Sequence, residues 1–264
     1  MNVIIISIVV FALAVLMTMT GRGGGNFYVL VLVIAGQAMH QAAASGQFIL
    51  MLTAFAGMLI FHKHKMVDWK LALVIDPPTD IMALAGGYFS SYVSGTSLKL
   101  VLAGLLVLAG FLMLIKVKDK PLSAEKKFGT WRRSFGGEEY AVNLWLAIPI
   151  TAAVGLAAGA VGISGGSFKV PLMVLLCGVP MRIAVGTSSA MVALTALMGF
   201  AGHATAGHFE PAWALPVAAA AVLGGITGGK FALKTRPARL KLIFAITTLA
   251  AALFMAVNAL LAGG

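Results

Sequence analysis

A glycine-rich motif occurs twice in this sequence, with the two copies 141 residues apart. The first copy reads Gly-Arg-Gly-Gly-Gly-Asn-Phe-Tyr-Val from Gly21, and the second reads Gly-Ile-Ser-Gly-Gly-Ser-Phe-Lys-Val from Gly162. If one inserted residue is allowed, the match extends to the glycine pairs Gly86-Gly87 and Gly228-Gly229. The repeat therefore covers most of each half, which predicts two related structural units.

The composition indicates an integral membrane protein. Hydrophobic residues make up 60% of the chain, charged residues make up 10%, and the mean hydropathy is +1.00. Too few polar groups remain to solvate a water-soluble protein of this size. The apolar runs are long enough for helices that cross a bilayer, whereas a β-barrel would show short alternating segments. The sequence thus predicts an all-α polytopic membrane protein.

Ten apolar segments follow one another along the chain, five in each half. They cover residues 2–19, 26–37, 41–61, 69–90, 98–115, 143–160, 167–178, 183–202, 212–232 and 242–261. Residues 2–19 lack a basic start and a cleavage site, so we interpret them as a retained helix and not as a signal peptide. The predicted domains are a first transmembrane repeat over 1–115, a basic linker over 116–140 and a second repeat over 141–264.

The distribution of basic residues predicts the topology. By the positive-inside rule, the linker, Arg22, Arg182 and the loops His62–Lys70 and Lys234–Lys241 face the cytoplasm. Five segments per repeat, an odd number, make the two halves inverted, as in many secondary transporters, and both termini then face outward. The same basic residues form no continuous face, so the net charge of +11 does not indicate nucleic acid binding.

The second segment of each half is too short to cross a membrane. Residues 26–37 and 167–178 would form helices of roughly 18 Å, against a hydrocarbon core of about 30 Å. A short helix that begins at a glycine turn is typical of a broken or re-entrant element whose N-terminus lies near the midplane.

The glycine turns are candidate anion sites. Glycine permits positive φ and close approach to a ligand, and free N–H groups at a helix N-terminus attract anions. We expect Asn26 and Ser167 to cap the two short helices, with nearby hydroxyls donating to the anion. The predicted substrate-binding residues are Gly24, Gly25, Asn26, Ser164, Gly165, Gly166, Ser167, Thr187 and Ser188.

A structural alternative exists for each of these residues. Glycines also permit close helix packing in membranes, and Ser or Thr side chains often bond their own helix backbone. Arg22 and Lys169 flank the turns, where they either add positive charge to the site or extend towards the membrane interface.

Two acidic residues lie within the fourth apolar run, in Asp76-Pro-Pro-Thr-Asp80. A carboxylate inside a membrane is costly unless it is paired, protonated or hydrated, so Asp76 and Asp80 are predicted to bind a coupling proton or sodium ion. Their four-residue spacing could place both on one side, although the prolines are expected to break the helix between them, with Asp76 capping the new start. A cap beside a kink is the structural alternative. The second half has Ala-Ala-Ala-Ala-Val at the aligned positions 218–222.

The sequence gives no indication of a cofactor or a metal. The five histidines lack carboxylate or cysteine partners at metal-site spacing, and Cys177 lies alone in an apolar run, as expected of a buried structural thiol. Nucleotide-phosphate, serine-protease and zinc-protease motifs do not occur.

The second motif and the residues that follow it resemble the signature of the sulfite exporter TauE/SafE family. The resemblance rests on Gly162-Ile-Ser-Gly-Gly-Ser-Phe-Lys-Val-Pro-Leu, Gly178-Val-Pro and Ala184-Val-Gly-Thr-Ser-Ser, and it extends over essentially the whole chain. The first copy departs from the pattern, with Leu30 in place of the proline and Ser45-Gly46-Gln47 in place of Gly-Thr-Ser. The resemblance implies a transporter of sulfite, sulfoacetate or similar small anions in the cytoplasmic (inner) membrane of a prokaryote.

These observations predict a secondary transporter that exports a small anion such as sulfite or an organosulfonate. Transport would occur by alternating access and be coupled to a proton or sodium ion, in a protein surrounded by lipid that could form a homo-oligomer. Two alternatives stay open. One is a passive anion channel, and the other is an intramembrane enzyme that uses Asp76 and Asp80 as an acid–base pair.

Overall fold

A computed structural model describes residues 3–94, 128–162 and 166–261, together with scattered positions between 97 and 111. Most of the apolar segment predicted over 98–115 and of the linker before Phe128 lies outside the described residues. Within the described part, α-helices account for most of the chain.

The first half contains five helices before the break in the description. They are α1 (Val3–Met19), α2 (Gly25–Ile34), α3 (Met39–Lys63), α4 (Trp69–Ile75) and α5 (Pro77–Phe89), which ends in a 3₁₀ turn (Ser90–Tyr92). The predicted segment 69–90 is therefore two helices. Pro77 occupies the first helical position of α5, where its missing N–H costs nothing, and the chain breaks at Asp76.

The second half begins with a β-hairpin, after which each of its five predicted segments is a helix. The elements are β1 (Thr130–Phe135), β2 (Glu138–Asn143), α6 (Leu144–Val161), α7 (Gly166–Pro171), a π-helical turn (Leu172–Leu176), α8 (Met181–Thr205), α9 (Pro211–Lys234) and α10 (Pro237–Leu261).

Within the described part, four helices are long and apolar enough to cross a bilayer. These are α3, α6, α8 and α9, of 25, 18, 25 and 24 residues, and α1 is a shorter apolar helix of 17 residues. At 1.5 Å per residue, each of the four is about 27 Å long or longer, close to the thickness of the hydrocarbon core. The predicted all-α multi-pass membrane fold is confirmed.

The main helix–helix contacts join one half of the protein to the other. The first helix of each half packs along the long fourth segment of the other, α1 on α9 and α6 on α5, while α3 and α8 pack together at the centre. The helix α3 also packs on α9, and α8 packs on α5 in the same way. Exchanging the halves leaves this pattern unchanged, as a duplicated unit predicts. The inverted orientation of the two copies in the membrane stays a prediction.

Glycines lie at the two matching helix crossings, that of α1 with α9 and that of α6 with α5. A Cβ atom on Gly228 of α9 would lie 2.3 Å from the carbonyl oxygen of Val15, and one on Gly159 of α6 would lie 2.3 Å from that of Ala83. No side chain fits at such distances, so the helix backbones touch, as small residues allow in membranes. Close packing therefore explains part of the glycine repeat.

The hairpin was not predicted from the sequence, which indicated only a basic linker. Its turn consists of Gly136 and Gly137 with φ of 63° and 83°, and positive φ at both positions is typical of a type I′ hairpin turn. Arg133 and Tyr140 lie opposite each other across the two strands, and both hydrogen-bond to the carboxylate of Asp68 in the α3–α4 loop.

Asp68 fixes the hairpin to the helical domain. Its carboxylate accepts two bonds from Arg133, at 2.8 and 2.9 Å, and also caps α4 by accepting from the N–H of Leu71. Burial by itself would raise the pKa of Asp68, but the bonds from Arg133, Tyr140 and the Leu71 N–H stabilise the carboxylate and hold this pKa below its ordinary value of 3.8.

Candidate functional site

The first glycine turn leads directly into α2. Gly23 and Gly24 have φ of 67° and 101°, and Gly24 occupies the N-cap position. The prediction that Asn26 caps α2 is wrong, because the left-handed Gly24 is the N-cap and the helix begins at Gly25, two residues earlier than a cap at Asn26 would allow. In the second half, α7 likewise begins at Gly166, so Ser167 lies inside its first turn and is not the cap.

Some predicted site residues lie outside the described part. These are Ser164 and Gly165, together with the side chains of Asn26 and Ser167. Their proposed contacts with an anion therefore stay predictions.

The two glycine turns meet inside the protein. A Cβ atom on Gly166 would lie 3.3 Å from Cα of Arg22 and 2.6 Å from Val192 of α8, and Gly23 faces the same valine. Each turn also packs on the long helix of the other half, Gly21 on Val185 of α8 and Gly162 on Ala43 of α3. Backbone from both repeats thus converges at one place between α3 and α8.

Buried hydroxyls line the same place. Ser188 and Ser189 lie in α8 three and four residues after Val185, on the helix face that touches the first turn, and Ser45 lies in α3. All three side chains are buried, and within the described part none of their hydroxyls has a hydrogen-bond partner. Buried polar groups are nearly always hydrogen-bonded in folded proteins, so this cluster is suited to a polar ligand.

Thr187 has a different environment from its neighbour Ser188. Its hydroxyl accepts a hydrogen bond of 3.0 Å from the backbone N–H of Asp68, so it fastens the α3–α4 loop to α8. The hydroxyl proton of Thr187 can still be donated elsewhere. The structure therefore gives Thr187 a structural contact in addition to its predicted contact with the anion.

Lys169 forms a buried ion pair with Asp76. Its Nζ atom lies 2.5 Å from Asp76 Oδ1 and donates to the hydroxyl of Thr195 and, at 3.1 Å, to the carbonyl of Met191. Lys169 and Asp76 are each 2% exposed. Of the two roles considered for Lys169, the structure excludes an extended side chain at the membrane interface and shows a charge inside the protein.

Asp76 and Asp80 reach the same partner. The hydroxyl of Thr195 lies 2.5 Å from Asp80 Oδ1 and 3.4 Å from Asp76 Oδ1. The Asp80 N–H bonds to the carbonyl of Asp76 at 3.0 Å, so the two acids lie one helical turn apart. The expected start of a new helix at Asp76 is confirmed, but the break lies at Asp76 itself and not between the two acids. Asp76 holds the N-cap position of α5, but its side chain makes no cap bond and turns to Lys169.

Arg22 is the second buried cation beside the turns. It is 2% exposed and donates to the hydroxyls of Thr20, Thr247 and Thr248. Here too the structure places the charge inside the protein. Arg22 therefore brings positive charge to the point where the turns meet, against the backbone of Gly166.

Sequence reasoning missed Thr195, which joins Lys169 to both acids. A signal for it exists in the repeat, because Thr195 corresponds to Thr53 when the inserted residue is counted. Both threonines bond the carbonyl one turn back, Thr53 that of Ile49 and Thr195 that of Met191. The threonines of α10 that contact Arg22 have no such signal.

Three of the five histidines come together at one end of α8, although metal chemistry was not predicted. The ring centroids of His40 and His208 are 5.0 Å apart, and those of His203 and His208 are 5.8 Å apart. Both ring nitrogens of His203 already have hydrogen-bond partners, Nε2 the carbonyl of Gly159 and Nδ1 the hydroxyl of Ser90. Among the residues that the structure describes, no group of three or more His, Cys, Asp or Glu could hold a metal ion.

Glycine turns from two repeats and a buried ion pair at the centre of a multi-pass helical protein are typical of membrane transporters. The comparison with protein families agrees, since the family model described as sulfite exporter TauE/SafE matches residues 6–255. The chain belongs to this family, which confirms the resemblance found in the motifs. It is a multi-pass protein of the cytoplasmic membrane.

Two curated relatives from Bacillus subtilis (strain 168) bear transporter names. The probable membrane transporter protein YunE is 28% identical over 190 residues, covering 71% of this chain and 70% of YunE. The probable membrane transporter protein YdhB is 23% identical over 232 residues, covering 86% of this chain and 89% of YdhB. No solved structure matches the chain.

Proposed function

We propose that this protein exports a small anion, such as sulfite or an organosulfonate, by alternating access coupled to a proton or a sodium ion. One observation carries the proposal: Lys169, which pairs with Asp76, lies on the short helix that begins at the second glycine turn. The helix α7 thus joins the place where the turns meet to the place where the acids lie, so a change at either end is passed to the other.

The substrate site is assigned to the meeting point of the turns. The N-terminus of α2, the Arg22 guanidinium and the buried serine hydroxyls of α3 and α8 all favour an oxyanion there. Both repeats contribute backbone, as a site between rocking halves requires. Small oxyanions and sulfonates fit this chemistry because they accept several hydrogen bonds at once.

The coupling site is assigned to Asp76 and Asp80. Two carboxylates and the single ammonium of Lys169 leave one negative charge in excess, and one proton or one sodium ion would balance it. Carboxylate, hydroxyl and carbonyl oxygens are all present at this place, and these are the ligands of a hard monovalent cation. Burial makes the uncompensated charge costly, so ion binding has a large effect on the stability of this conformation.

The export direction is supported by the family description and by the membrane potential. With the inside negative, a monovalent anion leaves the cell downhill by about 2.3 kcal/mol per 100 mV. A carrier is favoured over a passive channel because Lys169 and Asp76 are sealed from solvent at 2% exposure each. An acid–base enzyme is disfavoured because Asp76 is occupied by an ammonium group.

The proposal is tested by transport into proteoliposomes. Labelled sulfite, sulfate, thiosulfate and sulfoacetate are offered separately under imposed pH, sodium and voltage gradients. We expect saturable movement of at least one anion, accelerated by a pH or sodium gradient. The matched control is the Asp76→Asn Asp80→Asn variant, which keeps the shape of both side chains. Linear, unsaturable flux would indicate a channel, and product formation in detergent without vesicles would indicate an enzyme.

A further inference from the structure

A groove between α3 and α9 runs along the outer surface, away from the central site. Gly225 packs on Thr53 and Gly229 packs on Ile60, so both sequence numbers rise together and the two helices run in the same direction. The groove beside this crossing has a volume of about 540 Å³. Its walls are apolar and include Phe55, Leu59, Val222 and Ile226.

The groove faces the hydrocarbon of the membrane. The helices α3 and α9 are both long and apolar enough to span the bilayer, and Phe55 and Leu59 are 50% and 45% exposed. A half-exposed aromatic or leucine side chain on a spanning helix contacts acyl chains. The natural occupant of an apolar channel on this surface is therefore a lipid chain.

Two lysines close one end of the groove. Lys63 is the last residue of α3 and Lys230 lies in the last turns of α9, so the parallel helices bring both to the same end, and both are exposed. The two ion pairs found among the described residues involve Asp68 and Asp76, and neither includes these lysines. Two positive charges thus border an apolar channel at one membrane surface.

We propose that this groove binds one anionic phospholipid, with an acyl chain against the apolar wall and the phosphate between Lys63 and Lys230. The positive-inside rule predicts that this end lies at the cytoplasmic surface, where basic pockets between helices bind acidic headgroups. The charge of the two lysines selects an anionic over a zwitterionic headgroup. The apolar wall selects a lipid over a free anion. The site is independent of the transport function proposed above.

The test is native mass spectrometry of the purified full-length protein in detergent with equal amounts of phosphatidylglycerol and phosphatidylcholine of the same acyl chains. We expect one phosphatidylglycerol to be retained per protein chain in preference to phosphatidylcholine. Lys63→Gln with Lys230→Gln should weaken this retention about 30-fold, because two positive charges that attract the anionic headgroup at the membrane surface are lost. The matched control, Lys65→Gln with Lys70→Gln, removes one charge from the neighbouring loop and one from the start of α4, and it should leave retention unchanged.

A second pair of variants tests the apolar wall. Ile226→Trp fills the groove from α9 and Leu59→Trp fills it from α3, while both keep the lysines, and each is first checked for a single species by size exclusion. Either variant that passes should lose phosphatidylglycerol, and millimolar inorganic phosphate should not displace the lipid from the wild-type protein. Equal retention of the two lipids, an effect of the control equal to that of the groove lysines, or full retention in a filled groove would overturn the proposal.

Discussion

The two halves of the protein place different chemistry at equivalent positions. Lys169 and Thr195 in the second half correspond to Tyr28 and Thr53 in the first, and each threonine bonds the carbonyl one turn back. The second-half pair meets Asp76, whereas the aligned position of the other half is an alanine. The same backbone framework thus carries an ion cluster on one side only. Duplication provides the framework, and divergence of a few side chains makes it asymmetric.

Replacing Lys169 should show this asymmetry most strongly. Lys169→Met leaves Asp76 buried without its cation, which should lower the free energy of unfolding by about 3–5 kcal/mol and abolish coupled transport. Tyr28→Phe at the equivalent position removes a buried neutral hydroxyl that has no hydrogen-bond partner among the described residues, so it should change the free energy of unfolding by well under about 1 kcal/mol. Denaturation of the purified proteins measures both values.

A second change tests whether the lost stability comes from the unpaired charge of Asp76 or from the altered shape of the side chain at position 169. Lys169→Met combined with Asp76→Asn removes both charges and should recover most of the lost stability. A double variant as unstable as Lys169→Met would contradict the buried ion pair.

The two threonines offer the next comparison. Thr195→Val removes the hydroxyl that joins Lys169 to Asp80, and a hydrogen bond to a charged group contributes about 1.5–3 kcal/mol. Thr53→Val removes a bond to a neutral carbonyl and should cost about 1 kcal/mol or less. Thermal unfolding and the dependence of transport on the ion gradient are the measurements. Equal effects of Thr195→Val and Thr53→Val would contradict the asymmetry between the two halves.

The glycine crossings should behave alike in both halves. Gly86→Ala and Gly228→Ala, at aligned positions, each force a methyl group against a backbone carbonyl oxygen, that of Leu156 and that of Val15, so each should destabilise the protein by about 1–3 kcal/mol. Gly104→Ala is the control, because among the described residues nothing lies within 4 Å of its added methyl group. A large difference between Gly86→Ala and Gly228→Ala in unfolding experiments would show that the crossings are not equivalent.

The hairpin gives the smallest expected effect and a pH dependence. The pKa of Asp68 is below its ordinary value in the folded protein, so its contribution is present above the unfolded pKa, near 3.8, and is lost as the pH falls through the folded value. Arg133 is partly exposed, so Arg133→Gln should cost only about 0.2–1 kcal/mol near neutral pH. Unfolding of both proteins between acidic and neutral pH measures this. A difference that grows towards acidic pH would contradict the assignment.

The sequence predicted those features that depend on local chemistry. Repeated glycines predicted the turns and the short helices, and Asp76-Pro77-Pro78 predicted an interruption with a new helix starting at Asp76. Local patterns could not predict that Lys169 is buried, because a long aliphatic stem equally allows an extended position at the interface. Its burial depends on Asp76, which lies 93 residues earlier in the chain. The hairpin was not predicted for a related reason, because Asp68, which bonds to both of its strands, lies in another loop.

We expect ion binding at Asp76 and Asp80 to be linked to anion binding where the two glycine turns meet. The decisive experiment records labelled-anion flux and internal pH or sodium in the same proteoliposomes, for the wild type and for Asp76→Asn Asp80→Asn. The wild type should move the cation in fixed proportion to the anion. In the variant, anion-driven cation movement should be lost. Identical proportions of cation to anion in both proteins would show that the two acids do not couple the cation to the anion.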